Sequence, residues 1–280
     1  MPIRAILFDA AGTLIHLPRG VGWHYREIAA RHGIALEEKP LAAAFGAAFR
    51  AAAPRSSTRL SHREDPGIAE EEEGKNGGRR VGEHNLPMGP ARVFSRVDPG
   101  SAKLPIAPAG TPRPATPSRP DDDKLWWRSL VRQVLAACGQ EPAEAVFEAM
   151  FEELYAHFAQ PGVWALYPEA AAVLDALHPR YKLGVVSNFD RRLYPVLEHL
   201  GVRRYFGTIV ISSETGFDKP DGRIFSAALS ALGTLPRETI HAGDSPEEDW
   251  RAAEAAGLHA YRVDRPVRGL EGLPQYACTL

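Results

Sequence analysis

Short aliphatic runs alternate with amphipathic stretches along much of the chain, a pattern typical of a parallel β-sheet covered by helices. The first run begins at Ile3 and ends at Asp9, and a loop of small residues that contains Gly12 follows it. From Tyr167 onwards, strand-like runs and helical stretches alternate without interruption. The predicted later strands are 182–186, 208–211, 239–241 and 259–263. The pattern therefore predicts an α/β fold built on a parallel sheet.

Helices are predicted between these strands from apolar spacing and from residues typical of helix ends. They span 168–177, 190–200, 220–232 and 246–256. Asp190 is predicted as the N-cap of the second helix, because a side-chain oxygen there accepts from a free amide. Pro220 is predicted in the first turn of the third, where proline is well tolerated.

Helical spacing also fills the region between the first strand and Tyr167. Leu41, Phe45 and Phe49 are four residues apart, for example, which places them on one helix face. The predicted helices are 20–33, 36–53, 121–139 and 142–158. We therefore expect an α/β core made of residues 1–15 and 161–280, with residues 16–160 as an inserted four-helix cap domain.

Composition changes sharply within this predicted cap. From residue 54 to 120 the only aromatic residue is Phe94, and proline and glycine recur throughout. So little apolar bulk does not offset the entropy lost when a segment becomes ordered. We therefore expect 54–120 to be a disordered insertion, with a partner-binding segment containing the basic pair Arg79 and Arg80 as the alternative.

Overall composition narrows the class of protein. The chain is 44% hydrophobic and 24% charged with a net charge of −2, which favours neither a nucleic-acid nor a membrane partner. Cys138 and Cys278 lie far apart, so neither a disulfide framework nor a cysteine metal site is expected. No apolar stretch approaches the ~20 residues of a membrane helix. Asp9 interrupts the N-terminal run, so we expect no signal peptide and a cytoplasmic location.

Polar clusters follow successive predicted strands, where parallel sheets place their ligands. Each alone is a weak indication, because such pairs usually form turns, but their order along the chain is a strong one. The clusters are Asp9-Ala-Ala-Gly-Thr-Leu14, Ser187-Asn188, Lys219-Pro220 and Gly243-Asp244-Ser-Pro-Glu-Glu-Asp249.

These clusters resemble the motifs of the haloacid dehalogenase superfamily of hydrolases, subfamily I, which has a helical cap after the first strand. The resemblance implies a Rossmann-like core and a phosphorylated small-molecule substrate. It implies Asp9 as the nucleophile and Lys219 as the cation that neutralises nucleophile and phosphate. Ser187 and Asn188 would hold the phosphoryl group, and Asp244 and Asp249 would bind Mg²⁺.

Elementary chemistry supports the same roles. A carboxylate that attacks a phosphoryl group needs its repulsion with the anion screened by a nearby cation and metal. Mg²⁺ prefers oxygen ligands, which Asp9, Asp244 and Asp249 supply. The resemblance implies the backbone carbonyl of Ala11 as a further ligand. Glu248 competes with Asp249 for this role, and the five-residue spacing from Asp244 favours Asp249. The backbone amides of the Ala10–Thr13 loop, those of Gly12 and Thr13 included, are expected to cradle phosphate oxygens.

One position departs from the family pattern. Most phosphatases of this superfamily carry a second aspartate two positions after the nucleophile, and that position is Ala11 here. A general acid of this kind typically accelerates the reaction by about 10²–10⁴-fold. The loss matters less for leaving groups that need no proton, such as those of acyl or enol phosphates.

Ala11 therefore leaves several hypotheses open. A Mg²⁺-dependent phosphatase could take its acid from elsewhere, with His16 and His24 as the nearest candidates. Dehalogenases of the family also lack the second aspartate, but they have no need of a metal-type fourth motif. Phosphonoacetaldehyde hydrolases carry alanine too, yet require a cap lysine, for which Lys39 and Lys124 are the candidates. A protein that binds a phosphorylated ligand without turnover is the last alternative.

Overall fold

Five parallel strands form one sheet within residues 2–52 and 122–280, the part of the chain that the computed structural model describes. The strands of the structure are β1 (Ala5–Phe8), β2 (Ile15–His16), β3 (Ala165–Leu166), β4 (Lys182–Ser187), β5 (Phe206–Ile211), β6 (Thr239–Gly243) and β7 (His259–Arg262). The sheet has the order β5-β4-β1-β6-β7, and β2 pairs with β3 in a separate antiparallel ribbon. The α/β prediction with a Rossmann-like sheet is confirmed.

The helices connect the strands in the alternation expected from the sequence. They are α1 (Gly20–Arg31), α2 (Glu38–Ala51), α3 (Asp122–Ala137), α4 (Glu144–His157), α5 (Ala170–Leu177), α6 (Leu193–His199), α7 (Ser212–Thr215), α8 (Gly222–Leu232), α9 (Ala252–Ala255) and α10 (Leu273–Thr279). None of the helices in the described ranges is long and apolar enough to cross a membrane.

Helices cover both faces of the sheet. Successive side chains of a strand point to opposite faces, so one strand packs against helices on both sides. On β1, Ile6 and Phe8 join one apolar cluster with residues of α5 and α6. Ala5 and Leu7 join the other cluster with residues of α8 and α9. A strand buried on both faces reads as a continuous apolar run, which explains the hydrophobic pattern before Asp9.

The helices α1 to α4 share an apolar cluster of their own, as the helical spacing predicts. Tyr25, Leu41, Val134 and Phe151 are buried in it, one from each helix. Within the described residues, this lobe is linked to the core by Trp127 Nε1, which donates to Asp190 Oδ2 at 2.8 Å. The predicted insertion 54–120 lies outside the described residues. The division into core and cap at 15/16 and 160/161 stays a prediction.

Two predicted helix starts are wrong. Asp190 does not cap α6, which begins at Leu193; instead its Oδ1 accepts from Arg192 N at 3.0 Å in a local turn. Pro220 lies before α8 rather than in its first turn. The N-cap is Asp221, whose side chain accepts from Arg223 N at 2.9 Å. Asp and Pro favour both turns and helix starts, so sequence alone does not separate the two.

The predicted helix 246–256 is also more complex than its spacing suggests. It opens with a π-helical turn, Pro246–Arg251, and only then continues as α9. Trp250 N reaches back to Ser245 O at 3.2 Å, the longer hydrogen bond that defines such a turn. This turn carries Asp249, and π-helical turns are frequent at functional sites.

Candidate active site

The carboxyl ends of β4, β1 and β6 lie side by side, because β1 pairs with both of the other strands. Asp9 directly follows β1, Ser187 is the last residue of β4, and Asp244 directly follows β6. Lys219 reaches Asp9 from the loop between α7 and α8. The fold thus gathers residues from distant parts of the sequence at the edge where open sheets bind ligands.

Asp9 is buried and is held through one of its two carboxylate oxygens. Ser187 Oγ donates to Asp9 Oδ1 at 3.0 Å, and Lys219 Nζ donates to the same atom at 2.8 Å. No hydrogen bond from the described residues reaches Asp9 Oδ2. One oxygen therefore fixes the orientation of the side chain, and the other stays available for chemistry.

Lys219 is buried between Asp9 and Asp249. Its Nζ donates to Asp249 Oδ1 at 2.5 Å, and His241 Nε2 lies 2.8 Å from that same oxygen. Burial alone would lower the pKa of Lys219, but Asp249 and Asp9 hold it above its usual value. Burial would raise the pKa of Asp249, but Lys219 and His241 hold it below its usual value. Lysine and aspartate therefore stay charged inside the protein.

The other two carboxyl groups are harder to ionise. Burial raises the pKa of Asp9 to about 6, although the positive charge of Lys219 opposes the change. Burial also raises the pKa of Asp244, and the nearby charge of Asp249 adds to this effect. One lysine faces three carboxylates, so the cluster has an excess of negative charge. A bound divalent cation would relieve the repulsion.

The three carboxylates lie close enough to share such an ion. One oxygen from each of Asp9, Asp244 and Asp249 can be chosen so that all lie within 4.8 Å of one another. Asp244 is oriented by Thr13, whose Oγ1 donates to its Oδ1 at 3.1 Å. Gly12 lies directly beside Asp244, since a Cβ atom at position 12 would stand 2.4 Å from Asp244 Oδ2.

Glu248, the alternative to Asp249, lies outside this trio. Its Oε2 accepts from Asn188 Nδ2 at 3.1 Å. Asn188 also connects the loop after β4 to Lys219, donating to Lys219 O at 2.9 Å and accepting from Lys219 N at 2.7 Å. In this structure Asn188 thus fixes the backbone of the lysine loop.

In the predicted cradle Ala10–Thr13, the amides of Gly12 and Thr13 are engaged within the loop itself. Gly12 N donates to Ile15 O at 2.9 Å, and Thr13 N donates to Ala10 O at 3.3 Å. The loop turns back on itself and uses these two amides to close its own turn. Among the described residues, none accepts from the amides of Ala10 and Ala11, which leaves these two for a ligand.

Ala11 is exposed at the mouth of a cavity of about 200 Å³ that the helical lobe lines. Neither candidate replacement for the missing acid contributes to the lining. His16 stacks on Tyr167 with ring centroids 4.6 Å apart. His24 is buried in the lobe, where its Nδ1 lies 2.9 Å from His157 Nε2.

Two supporting residues were missed from sequence. His241 is buried in β6, and its contact with Asp249 Oδ1 has no counterpart among the sequence predictions. Arg265 contacts the loop that follows β1: its Nη2 donates to Thr13 O at 3.0 Å and to Glu169 Oε1 at 2.5 Å. No local motif marks Arg265, because its partners lie far away in the sequence.

Comparison with known proteins agrees with this geometry. A family model for haloacid dehalogenase-like hydrolases matches residues 3–257. The chain belongs to this family. As a haloacid dehalogenase-like protein, it is a hydrolase.

Relatives of known name include phosphatases. The bovine "haloacid dehalogenase-like hydrolase domain-containing protein 3" is 40% identical over 142 residues, which are 50% of this chain and 56% of that protein. A phosphoserine phosphatase of Thermus thermophilus is 36% identical over 143 residues, again 50% of this chain and 56% of that protein. These matches thus span little more than half of either relative.

The fold is shared with dehalogenases. The crystal structure of the defluorinating L-2-haloacid dehalogenase Rha0230 superposes with a TM-score of 0.61 at 20% identity. The superposition covers 95% of this chain and 82% of the dehalogenase. At this level of identity the likeness establishes the fold, and the chemistry has to be argued from the site.

Proposed function

We propose that this hydrolase is a Mg²⁺-dependent phosphatase of a small phosphorylated metabolite and works through an aspartyl-phosphate on Asp9. The observation that carries the proposal is the trio Asp9, Asp244 and Asp249, whose oxygens lie within 4.8 Å beside the buried Lys219. Attack on a phosphate anion needs this concentration of cation-binding groups, whereas attack on an apolar carbon centre does not.

The donor set fits Mg²⁺. It consists of oxygen atoms alone, and three carboxylates are fewer than the six ligands of an octahedral ion, so Mg²⁺ would keep some of its waters. Asp9, Asp244 and Asp249 would hold the ion with the backbone carbonyl of Ala11. Bound there, Mg²⁺ would neutralise charge on the phosphoryl oxygens.

The protein residues divide the remaining work. Asp9 Oδ2 is the oxygen that attacks, because Oδ1 is held by Ser187 and Lys219. Lys219 offsets the negative charge that builds up between nucleophile and phosphate. The free amides of Ala10 and Ala11 lie at the same sheet edge and donate to phosphoryl oxygens. Ser187 Oγ has a single proton, which it donates to Asp9 Oδ1, so Ser187 orients the nucleophile.

The supporting residues of the site hold these groups in place. Asn188 fixes the backbone of the loop that carries Lys219, and Glu248 accepts a hydrogen bond from Asn188 and so holds it in place. Gly12 and Thr13 shape the nucleophile loop and orient Asp244, although their own amides are engaged. We assign Gly12 and Thr13 to positioning rather than to direct phosphate contact.

A dehalogenase is the second candidate, favoured by Ala11 and by the shared fold. The acidic trio argues against it, because three carboxylates around a displaced halide would repel the leaving anion. The phosphonoacetaldehyde hydrolase alternative loses support. Lys39 is exposed, and Lys124 Nζ pairs with Glu152 at 2.6 Å, so neither lysine has the desolvated setting that a Schiff base requires.

Phosphate release separates the candidates. We expect release of phosphate from a panel of phosphometabolites that depends on Mg²⁺, is abolished by EDTA and is absent from Asp9→Asn. Halide release from 2-haloacids that is indifferent to EDTA would contradict the proposal. Mg²⁺-dependent binding of a phosphate ester without turnover would instead identify a binding protein.

A further inference from the structure

The cavity beside Ala11 has an unusual chemical character for a site that handles phosphate. It starts at Ala11 and Asn188 and is otherwise lined mainly by apolar and aromatic side chains of the helical lobe, including Phe45, Trp127 and Phe158. A group bonded to a phosphate that sits against Asp9 Oδ2 would extend past Ala11 into this space. The lining is complementary to an apolar ring and offers few partners for a sugar or an amino acid.

The size of the cavity suits a small ring. Its volume is about 200 Å³, and an apolar cavity of roughly 150 Å³ in another protein is enough to bind benzene. The aromatic side chains can contact a planar ring edge to face or in offset stacking, which adds to the effect of burial alone. A single aromatic ring with small substituents therefore fits.

The charged residue of the lining does not offer a second anion site. Arg192 donates through Nη2 to Asp190 Oδ2 at 2.6 Å and through Nε to Asp190 Oδ1 at 2.9 Å. Its Nη1 donates to Tyr155 O at 3.2 Å, and the guanidinium stacks on the Tyr155 ring at 3.9 Å. All three nitrogens are engaged, so the group beyond the phosphate need not carry a negative charge.

Ala11 points to the same class of leaving group for an independent reason. Without an acid at this position, the leaving oxygen departs unprotonated, so its basicity determines the rate. A phenol has a pKa of about 10, as in tyrosine. An alkoxide is closer to hydroxide in basicity, since water has a pKa of about 15.7. A phenolate therefore leaves readily where an alkoxide would not.

We propose that the substrate is the phosphate monoester of a small phenol, with its ring in the cavity between Ala11 and the helical lobe. This inference rests on the proposed phosphatase function. An oxygen of Asp9 forms a bond to phosphorus as the bond from phosphorus to the phenol oxygen breaks. The electron pair leaves on that oxygen, which takes a proton from water after release. Water then cleaves the aspartyl-phosphate, returning Asp9 and inorganic phosphate.

Three probes test the inference with the full chain and Mg²⁺. Acetyl phosphate has a weakly basic leaving group and no ring, so it tests the phosphatase chemistry alone. Phenyl and cyclohexyl phosphate carry rings of similar size but differ in the basicity of the leaving oxygen. We expect kcat/KM for phenyl phosphate to exceed that for cyclohexyl phosphate by about 100-fold or more, the usual contribution of a general acid.

Two variants test the cavity. Val131→Phe and Val21→Phe each add a ring at a lining position. We expect each to lower the ratio of kcat/KM for phenyl phosphate over acetyl phosphate by about tenfold, the effect of excluding one buried ring. Val146→Phe is the matched control, since Val146 is exposed on α4 and does not line the cavity. The ratio of the control should equal that of the unmodified protein.

The outcomes are distinguishable. Equal activity on phenyl and cyclohexyl phosphate, or ratios unchanged by both lining variants, would overturn the inference while Mg²⁺-dependent cleavage of acetyl phosphate upheld the phosphatase. Failure to cleave acetyl phosphate above the level of Asp9→Asn would contradict the proposed function, and this inference with it. If Val131→Phe does not fold, Val21→Phe decides, because the two act from different helices.

Discussion

Lys219 is the residue on which the electrostatics of the site depend. Its side chain is almost fully buried and contacts two buried carboxylates, Asp9 at 2.8 Å and Asp249 at 2.5 Å. A buried ion pair of this kind stabilises the folded state little more than apolar side chains of similar volume would. Loss of one partner, however, leaves the other charge buried and uncompensated. The arrangement is thus better explained by chemistry than by stability.

Replacement of Lys219 by methionine tests this view at the level of one residue. We expect Lys219→Met to lower the free energy of unfolding by about 3–5 kcal/mol, because two carboxylates lose their cation. Urea denaturation near neutral pH measures the effect. The matched control is Lys124→Met, since Lys124 pairs with Glu152 at the surface and its loss should cost under about 1 kcal/mol. Equal losses in the two variants would contradict the account.

Ala11 is the second residue with a sharp consequence. Ala11→Asp should raise kcat for alkyl phosphates by at least about tenfold, because it restores an acid beside the leaving oxygen. Acetyl phosphate turnover should change little, because its leaving group needs no proton. Steady-state kinetics on both substrates provide the comparison. No gain on the alkyl ester would mean that another group already supplies the proton.

The raised pKa of Asp9 predicts how Mg²⁺ binding depends on pH. The pKa is about 6, so Asp9 is largely ionised at about pH 7 and largely protonated at about pH 5. Protons compete with the metal for the carboxylate, so affinity should fall by about tenfold between these values. Isothermal titration calorimetry measures it. The decline should be shallower in Asp9→Asn, and an equally steep decline there would assign the effect to another group.

At the level of elements, the loop after β1 is shaped by its contact with Asp244. Gly12 has a φ of +95°, and a Cβ atom there would meet Asp244 Oδ2 at 2.4 Å. Only glycine satisfies both the conformation and the close approach. The conformation of this loop and the position of Asp244 therefore both depend on the absence of a side chain at Gly12.

Gly12→Ala should accordingly weaken Mg²⁺ binding by displacing Asp244. Gly33→Ala is a matched control, because Gly33 also has a positive φ, of +75°, but nothing lies within 4 Å of its Cβ position. Both variants should lose roughly 1–2 kcal/mol of stability from backbone strain. Only Gly12→Ala should lose metal affinity, which calorimetric titration would reveal. Loss of affinity in both would attribute the effect to stability alone.

Strands were easier to predict than helix starts, for a physical reason. The central strands β1, β4 and β6 are buried on both faces, so the apolar runs mark them directly, and each predicted strand overlaps an observed one. The ends of α6 and α8 depend on which of several turn-forming residues meets a free amide. The π-helical turn at Asp249 was not predictable, since one inserted residue leaves no trace in apolar spacing.

At the level of the whole molecule, motif order was sufficient to predict which residues meet. Asp9, Ser187, Lys219, Asp244 and Asp249 come together because parallel strands end at one edge, a consequence of topology. The contacts of His241 and Arg265 could not be predicted, because they depend on packing between distant segments. The cavity is likewise a product of tertiary packing. The cytoplasmic location and the disordered insertion stay predictions.

The central claim is that Asp9 becomes phosphorylated, and direct detection of the phosphoenzyme tests it. The protein is mixed with radiolabelled acetyl phosphate and Mg²⁺, quenched in acid and digested. We predict label on the peptide that contains Asp9, dependent on Mg²⁺ and absent from Asp9→Asn. Release of phosphate without any label at Asp9, or label that persists in Asp9→Asn, would contradict the account.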